Sequence, residues 1–171
     1  MLTFVTPHLL LESVLELEPS RLRSLSVRGL LLDVDCTLKD HDAPAFPDAV
    51  TAWVRGLKAD GVRLCLFSNG RARRIEGLAR TLDVPFVARA LKPLPFACRA
   101  GLGHLGVPAS EAALVGDQLF ADVMAGRLAG LFTILVRPTS PREPWFTRLK
   151  RPLERRVLRR LNLQPQAKLP V

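Results

Sequence analysis

Two aspartates set two residues apart at the end of an apolar run, Gly29-Leu-Leu-Leu-Asp33-Val-Asp35-Cys-Thr37-Leu38, are the residues of this chain best placed for chemistry. Side chains alternate along an extended backbone, so Asp33 and Asp35 leave it on the same side. Like charges that close repel. A divalent cation with oxygen ligands relieves the repulsion and leaves a carboxylate free to act on a phosphate. An apolar run followed by polar residues is also how an ordinary strand ends at the surface, so the chemical reading needs partners at later strand ends. Ser68 and Asn69 close the apolar Leu64-Cys65-Leu66-Phe67, Lys92 stands before Pro93, and Asp117 and Asp122 follow Val115-Gly116.

The elements that must bring these residues together alternate along the chain. Strands are predicted at Leu30 to Val34, Val62 to Phe67, near Phe86, at Ala113 to Val115 and at Phe132 to Val136. Amphipathic helices are predicted at Pro47 to Ala59, Ala72 to Leu82, Pro93 to Leu105 and Leu119 to Leu128. This rhythm argues an α/β fold with a parallel sheet covered on both faces. Right-handed crossovers put every loop that follows a strand at one edge of the sheet, and all the chemically equipped residues lie in such loops. Pro47 and Pro93 suit first-turn positions, and Gly61, Gly106 and Gly130 suit helix exits. The early segment Thr6 to Leu15 reads as a capped, very apolar helix ahead of the first strand, serving as a brace on the sheet or as a membrane contact.

Taken in order, Asp33-Val34-Asp35-Cys36-Thr37, Ser68-Asn69, Lys92-Pro93 and Val115-Gly116-Asp117-Gln118-Leu119-Phe120-Ala121-Asp122 resemble the four motifs of the haloacid dehalogenase (HAD) superfamily of aspartate phosphatases. Their spacing and the Gly-Asp-Gln-Leu-Phe segment are similar to the small YqeG-type branch, subclass IIIA, related to phosphatidylglycerophosphate phosphatases. The resemblance implies a HAD-like, Rossmann-like sheet of about five strands. It implies that Asp33 is the nucleophile and that Asp35 protonates the leaving oxygen and later activates water. It further implies Mg2+ held through Asp33, the backbone carbonyl of Asp35 and Asp117, with Asp122 as a further or water-mediated ligand, and Ser68, the amide of Asn69 and Lys92 clamping the phosphoryl group. A proton donor working near neutral pH needs a raised proton affinity, which a neighbouring carboxylate favours and a metal opposes. Ala121 departs from the Thr expected in this branch, removing one hydroxyl near the metal site.

Larger members of the superfamily close over small substrates with an inserted cap, but Lys39 to Phe46 is a short loop and Ser68 to Lys92 is consumed by one helix and one strand. No cap fits in either place. An open site excludes water poorly unless the substrate's surroundings cover it, which favours an interfacial or macromolecular phosphate.

At 171 residues the chain fits one domain with a tail. Residues 1–28 read as a helical segment packed on the core, 29–140 as the HAD-like core and 141–171 as a basic amphipathic tail. The net charge of +9 is concentrated in that tail, where Arg148 to Arg160 hold seven basic residues and one acid, Glu154. Trp145, Phe146, Leu149, Leu153, Val157 and Leu161 recur there at helical spacing, and Pro152 predicts two short helices rather than one. Such a segment either lies on anionic lipid or packs its apolar side on the core with solvated arginines.

Three cysteines, Cys36, Cys65 and Cys98, are odd in number and form no Cys-x-x-Cys pair, so they signal neither a disulfide framework nor a zinc site. Cys65 reads as core, and Cys36 is oxidisable if exposed. His8, His41 and His104 lack ligand-like spacing. No apolar run reaches the roughly 20 residues that span a bilayer. The expectation is a cytoplasmic enzyme, with peripheral contact on the inner face of the membrane if its substrate is a lipid. The leading reading is a magnesium-dependent phosphomonoester hydrolase acting on phosphatidylglycerophosphate. The alternatives are a HAD phosphatase acting on a soluble sugar, nucleotide or protein phosphate, and a non-enzymatic scaffold for RNA or the ribosome. Nucleic acid is disfavoured by the lack of an aromatic platform or basic stripe in the core, and the sequence does not fix an oligomeric state.

Overall fold

A computed structural model describes residues 3–140 and 145–160 of the chain, with side chains for 3–140 and 152–160. Six parallel strands form a single sheet in the order β1-β6-β5-β2-β3-β4. They are β1 (Leu9–Leu11), β2 (Gly29–Leu32), β3 (Arg63–Phe67), β4 (Phe86–Val87), β5 (Ala112–Gly116) and β6 (Phe132–Val136). The helices are α1 (Pro19–Ser24), α2 (Asp48–Ala59), α3 (Ala72–Leu82), α4 (Phe96–Leu105), α5 (Met124–Leu128) and α6 (Trp145–Arg160).

Period-two alternation along the strands sorts the core onto the two faces of the sheet. Leu30, Leu32, Leu64 and Leu66 share one buried cluster with Val50, Val54 and Leu57 of α2 and with Ile75, Leu78, Ala79 and Leu82 of α3. Their neighbours Leu31, Cys65 and Phe67 face the other way, onto Cys98 and Leu105 of α4 and Ala125 of α5. The spacing of buried residues in α2 and α3, three and four apart, is what one apolar helix stripe requires. From β2 the chain steps through β3 to β4, then returns to pair β5 with β2 on the other side. The order of strands therefore reverses at β2, and a crevice opens beyond the carboxyl ends of β2, β3 and β5.

Three sequence expectations change. The stretch Thr6 to Leu15, expected as a helix, contains β1 instead, whose Leu9, Leu10 and Leu11 register with Ile134, Leu135 and Val136. A three-residue apolar run carries no period, so a buried helix and a buried parallel strand look alike in sequence. This strand takes the sheet from about five strands to six. The helix expected from Pro93 begins at Phe96, because both backbone polar groups of Lys92 are engaged by the side chain of Asn69 in a loop. The two tail helices are one, α6, with Pro152 inside it. The missing N–H of a proline costs one helical bond, and the second half of α6 is docked on the core. There, Glu154 accepts a hydrogen bond from the Phe120 amide at 3.2 Å, and Val157 is buried with Leu119, Val123 and Leu135. Leu153, Arg155, Arg156, Arg159 and Arg160 are exposed. The apolar anchors Trp145, Phe146 and Leu149 are expectations about side chains outside the described residues, as is Leu161.

No domain is inserted between β2 and α2, and only α3 and β4 lie between Ser68 and Lys92. Among the described residues, no helix is long and apolar enough to cross a membrane.

Candidate active site

Asp33 sits one residue beyond β2, where its amide donates to Val115 O at 2.9 Å and extends the pairing with β5. Its carboxylate is buried and accepts from Lys92 Nζ at 2.6 Å and from Thr37 Oγ1 at 3.0 Å. Lys92 comes from the loop beyond β4. It also donates to Asp122 Oδ1 at 2.6 Å and to Phe67 O at 3.0 Å, with its ammonium 5.5 Å from the Phe67 ring centroid. Burial pulls the Lys92 proton affinity down, but Asp122 and Asp33 outweigh it and hold the group above its ordinary value. For Asp33 burial wins over the attraction of Lys92, with Asp122 adding repulsion, and its pKa is pushed up to about 6.

Asp117 directly follows β5, and Thr37 Oγ1 lies 3.2 Å from its Oδ1. Asp122 is brought back to the same point by a π turn at Leu119–Val123, where its Oδ2 accepts from the Gln118 amide at 3.0 Å. Gly116 makes this return possible, because a Cβ there would overlap the Asp122 carboxylate. Asp33, Asp117 and Asp122, all buried, offer oxygens within 4.8 Å of one another. The donor set, three carboxylates with no softer ligand, fits a hard divalent cation.

Ser68 is buried at the end of β3, with its hydroxyl accepting from the Gly70 amide at 3.1 Å. Asn69 is exposed, and its side chain brackets Lys92, accepting from Lys92 N at 2.8 Å and donating to Lys92 O at 3.2 Å. The sequence suggested the amide of Asn69 as a clamp; the side chain has this additional work of fixing the lysine loop.

Asp35 lies outside the acidic cluster. Arg74, in the first turn of α3, grips its carboxylate with two hydrogen bonds of 2.8 and 2.5 Å. Lys39 Nζ is 3.6 Å away and His41 Nδ1 3.8 Å away. Burial raises the proton affinity of Asp35, but the Arg74 hydrogen bonds and charge, with Lys39 and His41, hold its pKa below the usual carboxylate range. A proton donor needs a raised value, which a carboxylate neighbour would favour; the structure supplies Arg74 and Lys39 instead. Arg74 and Lys39 are the residues that sequence reasoning missed. Lys39, four residues after Asp35, was legible as a potential partner, whereas the position of Arg74 depends on how α3 is docked. His41, expected as an ordinary residue, stands beside them at Asp35. Cys36 adopts a left-handed conformation (φ 61°) between Asp35 and Thr37 but is buried, which removes the premise for oxidation.

A family model described as haloacid dehalogenase-like hydrolase matches residues 11–130, which contain every one of these groups. The chain belongs to that family. It is a hydrolase of the phosphatase type. The "Probable phosphatase YqeG" of Bacillus subtilis (strain 168) is 30% identical over 155 residues, covering 91% of this chain and 90% of that protein. A protein named "Phosphatidylglycerophosphate phosphatase 1, chloroplastic" in Chlamydomonas reinhardtii is 27% identical over 158 residues, covering 86% of this chain. This chain spans only 59% of that relative. Among solved structures, the cobalt-bound form of the deoxy-D-mannose-octulosonate 8-phosphate phosphatase (YrbI) of Haemophilus influenzae superposes with a TM-score of 0.55 at 17% identity, covering 79% of this chain and 89% of that one. At that identity the likeness bears on the fold alone.

Proposed function

We propose that this hydrolase is a magnesium-dependent phosphomonoesterase that works through an aspartyl-phosphate and dephosphorylates phosphatidylglycerophosphate in phospholipid synthesis. The observation that carries the chemistry is the buried Asp33, Asp117 and Asp122 cluster sharing Lys92 at the carboxyl edge of the sheet. Asp33, Asp117 and Asp122 would hold the ion, with the backbone carbonyl of Asp35 as a further ligand. When bound, Mg2+ would neutralise the crowded carboxylates and the phosphoryl oxygens, lowering the repulsion against anionic attack.

A carboxylate oxygen of Asp33 attacks phosphorus, the bond from phosphorus to the ester oxygen breaks, and that oxygen takes a proton from Asp35. Water then attacks phosphorus, Asp35 takes its proton, and the acyl-phosphate P–O bond breaks to release inorganic phosphate and restore Asp33. Dividing hydrolysis into two displacements makes each easier, and the acid of the first step becomes the base of the second. Lys92, Ser68 and the Asn69 amide stabilise the transferring oxygens. In the arrangement described above Asp35 is suited to the base role, and serving as acid requires Arg74 to loosen its grip.

The lipid substrate is supported by the chloroplast relative's name and by the uncapped crevice, which leaves room for a headgroup presented at a surface. Peripheral contact with an anionic membrane on its cytoplasmic side is part of this reading. Phosphate release from phosphatidylglycerophosphate in anionic vesicles, set against a panel of soluble monoesters, tests it. Faster turnover of the lipid is expected. Preference for a soluble sugar, nucleotide or protein phosphate would replace the lipid, and salt-sensitive RNA binding that persists in Asp33→Asn without any turnover would replace the enzyme.

A further inference from the structure

The loop beyond β4 carries an apolar tip that the catalytic chemistry does not use. Phe96, Leu91 and Leu94 are 80, 68 and 47% exposed, three large apolar side chains within six residues. The other exposed large hydrophobics among the described residues, Phe4, Leu15, Leu128 and Leu153, are scattered along the chain. Isolated exposed leucines need no explanation, but a cluster of this kind beside a site marks a contact surface.

The tip is held in place. Leu94 N donates to Leu91 O at 3.0 Å, Ala90 N to Ser68 O at 3.1 Å, and Arg89 N to Gly70 O at 3.1 Å, while Asn69 brackets Lys92 between Leu91 and Pro93. The bonds to Ser68, Asn69 and Gly70 tie the tip to the loop beyond β3 that leads into α3. Both segments are one-sided in charge: residues 61–75 and 84–110 contain no aspartate or glutamate. Arg71 and Arg73 stand exposed on the first, and Arg89 and Arg99 on the second. Lys92, whose neighbours Leu91 and Leu94 point to solvent, reaches inward to Asp33.

We propose that Leu91, Leu94 and Phe96, flanked by these arginines, seat the open crevice on an anionic lipid bilayer. The inference rests on the lipid-phosphate reading above and places the docking surface on the site loop rather than on the C-terminal helix. Leucine and phenylalanine enter the boundary between headgroups and acyl chains, while arginines draw the surface toward anionic lipid. The bilayer then covers the crevice, excluding water where no domain inserted after β2 or between Ser68 and Lys92 does so. A polyanion such as RNA would match the charge but not three aliphatic and benzyl side chains aimed outward.

The test uses the full chain and two variants. Leu94→Ser/Phe96→Ser removes the apolar contact without touching Leu91, whose φ of 53° precedes Lys92. Arg73→Glu/Arg99→Glu reverses charge on helix surfaces and leaves the tip intact. Flotation with phosphatidylglycerol vesicles and with neutral phosphatidylcholine vesicles is read beside turnover of vesicle-borne phosphatidylglycerophosphate and of p-nitrophenyl phosphate. The expected result is at least tenfold weaker binding to anionic vesicles for each variant. Lipid turnover falls in parallel, and p-nitrophenyl phosphate turnover stays within twofold of the parent. Parent-like binding and lipid turnover in both variants overturn the docking inference and leave the lipid substrate standing. A parent chain that hydrolyses p-nitrophenyl phosphate but neither binds these vesicles nor acts on the lipid overturns both readings. A dimer in sedimentation that Leu94→Ser/Phe96→Ser dissolves, with no vesicle binding, reassigns the tip to a second copy and overturns the inference.

Discussion

Asp33 and Asp35 are two residues apart and stand in opposite electrostatic surroundings. Burial raises the pKa of the first to about 6, with Lys92 pulling against it and Asp122 with it. The second is partly buried, and Arg74 above all reverses the effect of that burial. Taken alone these directions are the reverse of what an ionised nucleophile and a protonated donor need, so the roles proposed require a cation beside Asp33 to lower the first and a loosened Arg74 to raise the second. If Asp35 is the general acid, kcat/KM falls as pH rises through its pKa, because a donor works only while protonated. Arg74→Gln removes the main cause that lowers this pKa, so the alkaline limb of the kcat/KM profile moves to higher pH. An alkaline limb that stays in place would separate Asp35 from proton donation. The acids and Lys92 were legible in the sequence because each ends an apolar run or precedes a proline. Arg74 was not, since nothing in its neighbours marks it as a partner of a residue 39 positions earlier.

The strand ends do the positioning, and β5 does the most demanding part of it. Asp117 leaves its last residue directly, and Asp122 must fold back against Gly116 through the π turn. Any side chain at position 116 would meet the Asp122 carboxylate, so Gly116→Ala displaces that carboxylate from the cluster. Disturbing the groups that orient metal ligands costs roughly 10- to 100-fold in metal affinity or activity. Gly116→Ala should therefore need more Mg2+ for half-maximal turnover and lose activity in that range, with little change in its circular dichroism. Parent-like Mg2+ dependence would contradict the geometry. The βαβ alternation, five of the strands and the core helices were readable from periodicity. The sixth strand was not, because Leu9–Leu11 is too short for a period and is defined only by Ile134, Leu135 and Val136, more than 120 residues away. The start of α4 was misread for a similar reason: Pro93 suits a first helical turn locally, but Asn69 holds the adjoining Lys92 in a loop.

At the scale of the whole molecule, a parallel sheet whose strand order reverses at β2 gathers four loops over one crevice. Among the described residues, nothing is inserted between β2 and α2, or between Ser68 and Lys92 beyond α3 and β4, to close it. The family and its order of motifs were visible in the sequence, whereas the arginine-flanked apolar tip was not, because exposure is a property of the folded surface. Everything argued for the site turns on Asp33 carrying the phosphoryl group in mid-reaction. An acyl phosphate can be trapped by borohydride, which reduces the phosphorylated aspartate to homoserine. Quenching turnover in this way and mapping the peptide around position 33 is the most direct test. Homoserine at that position, formed only with substrate and divalent cation and absent in Asp33→Asn, is the predicted result. Sustained hydrolysis with an unmodified Asp33, or with turnover retained in Asp33→Asn, would contradict it.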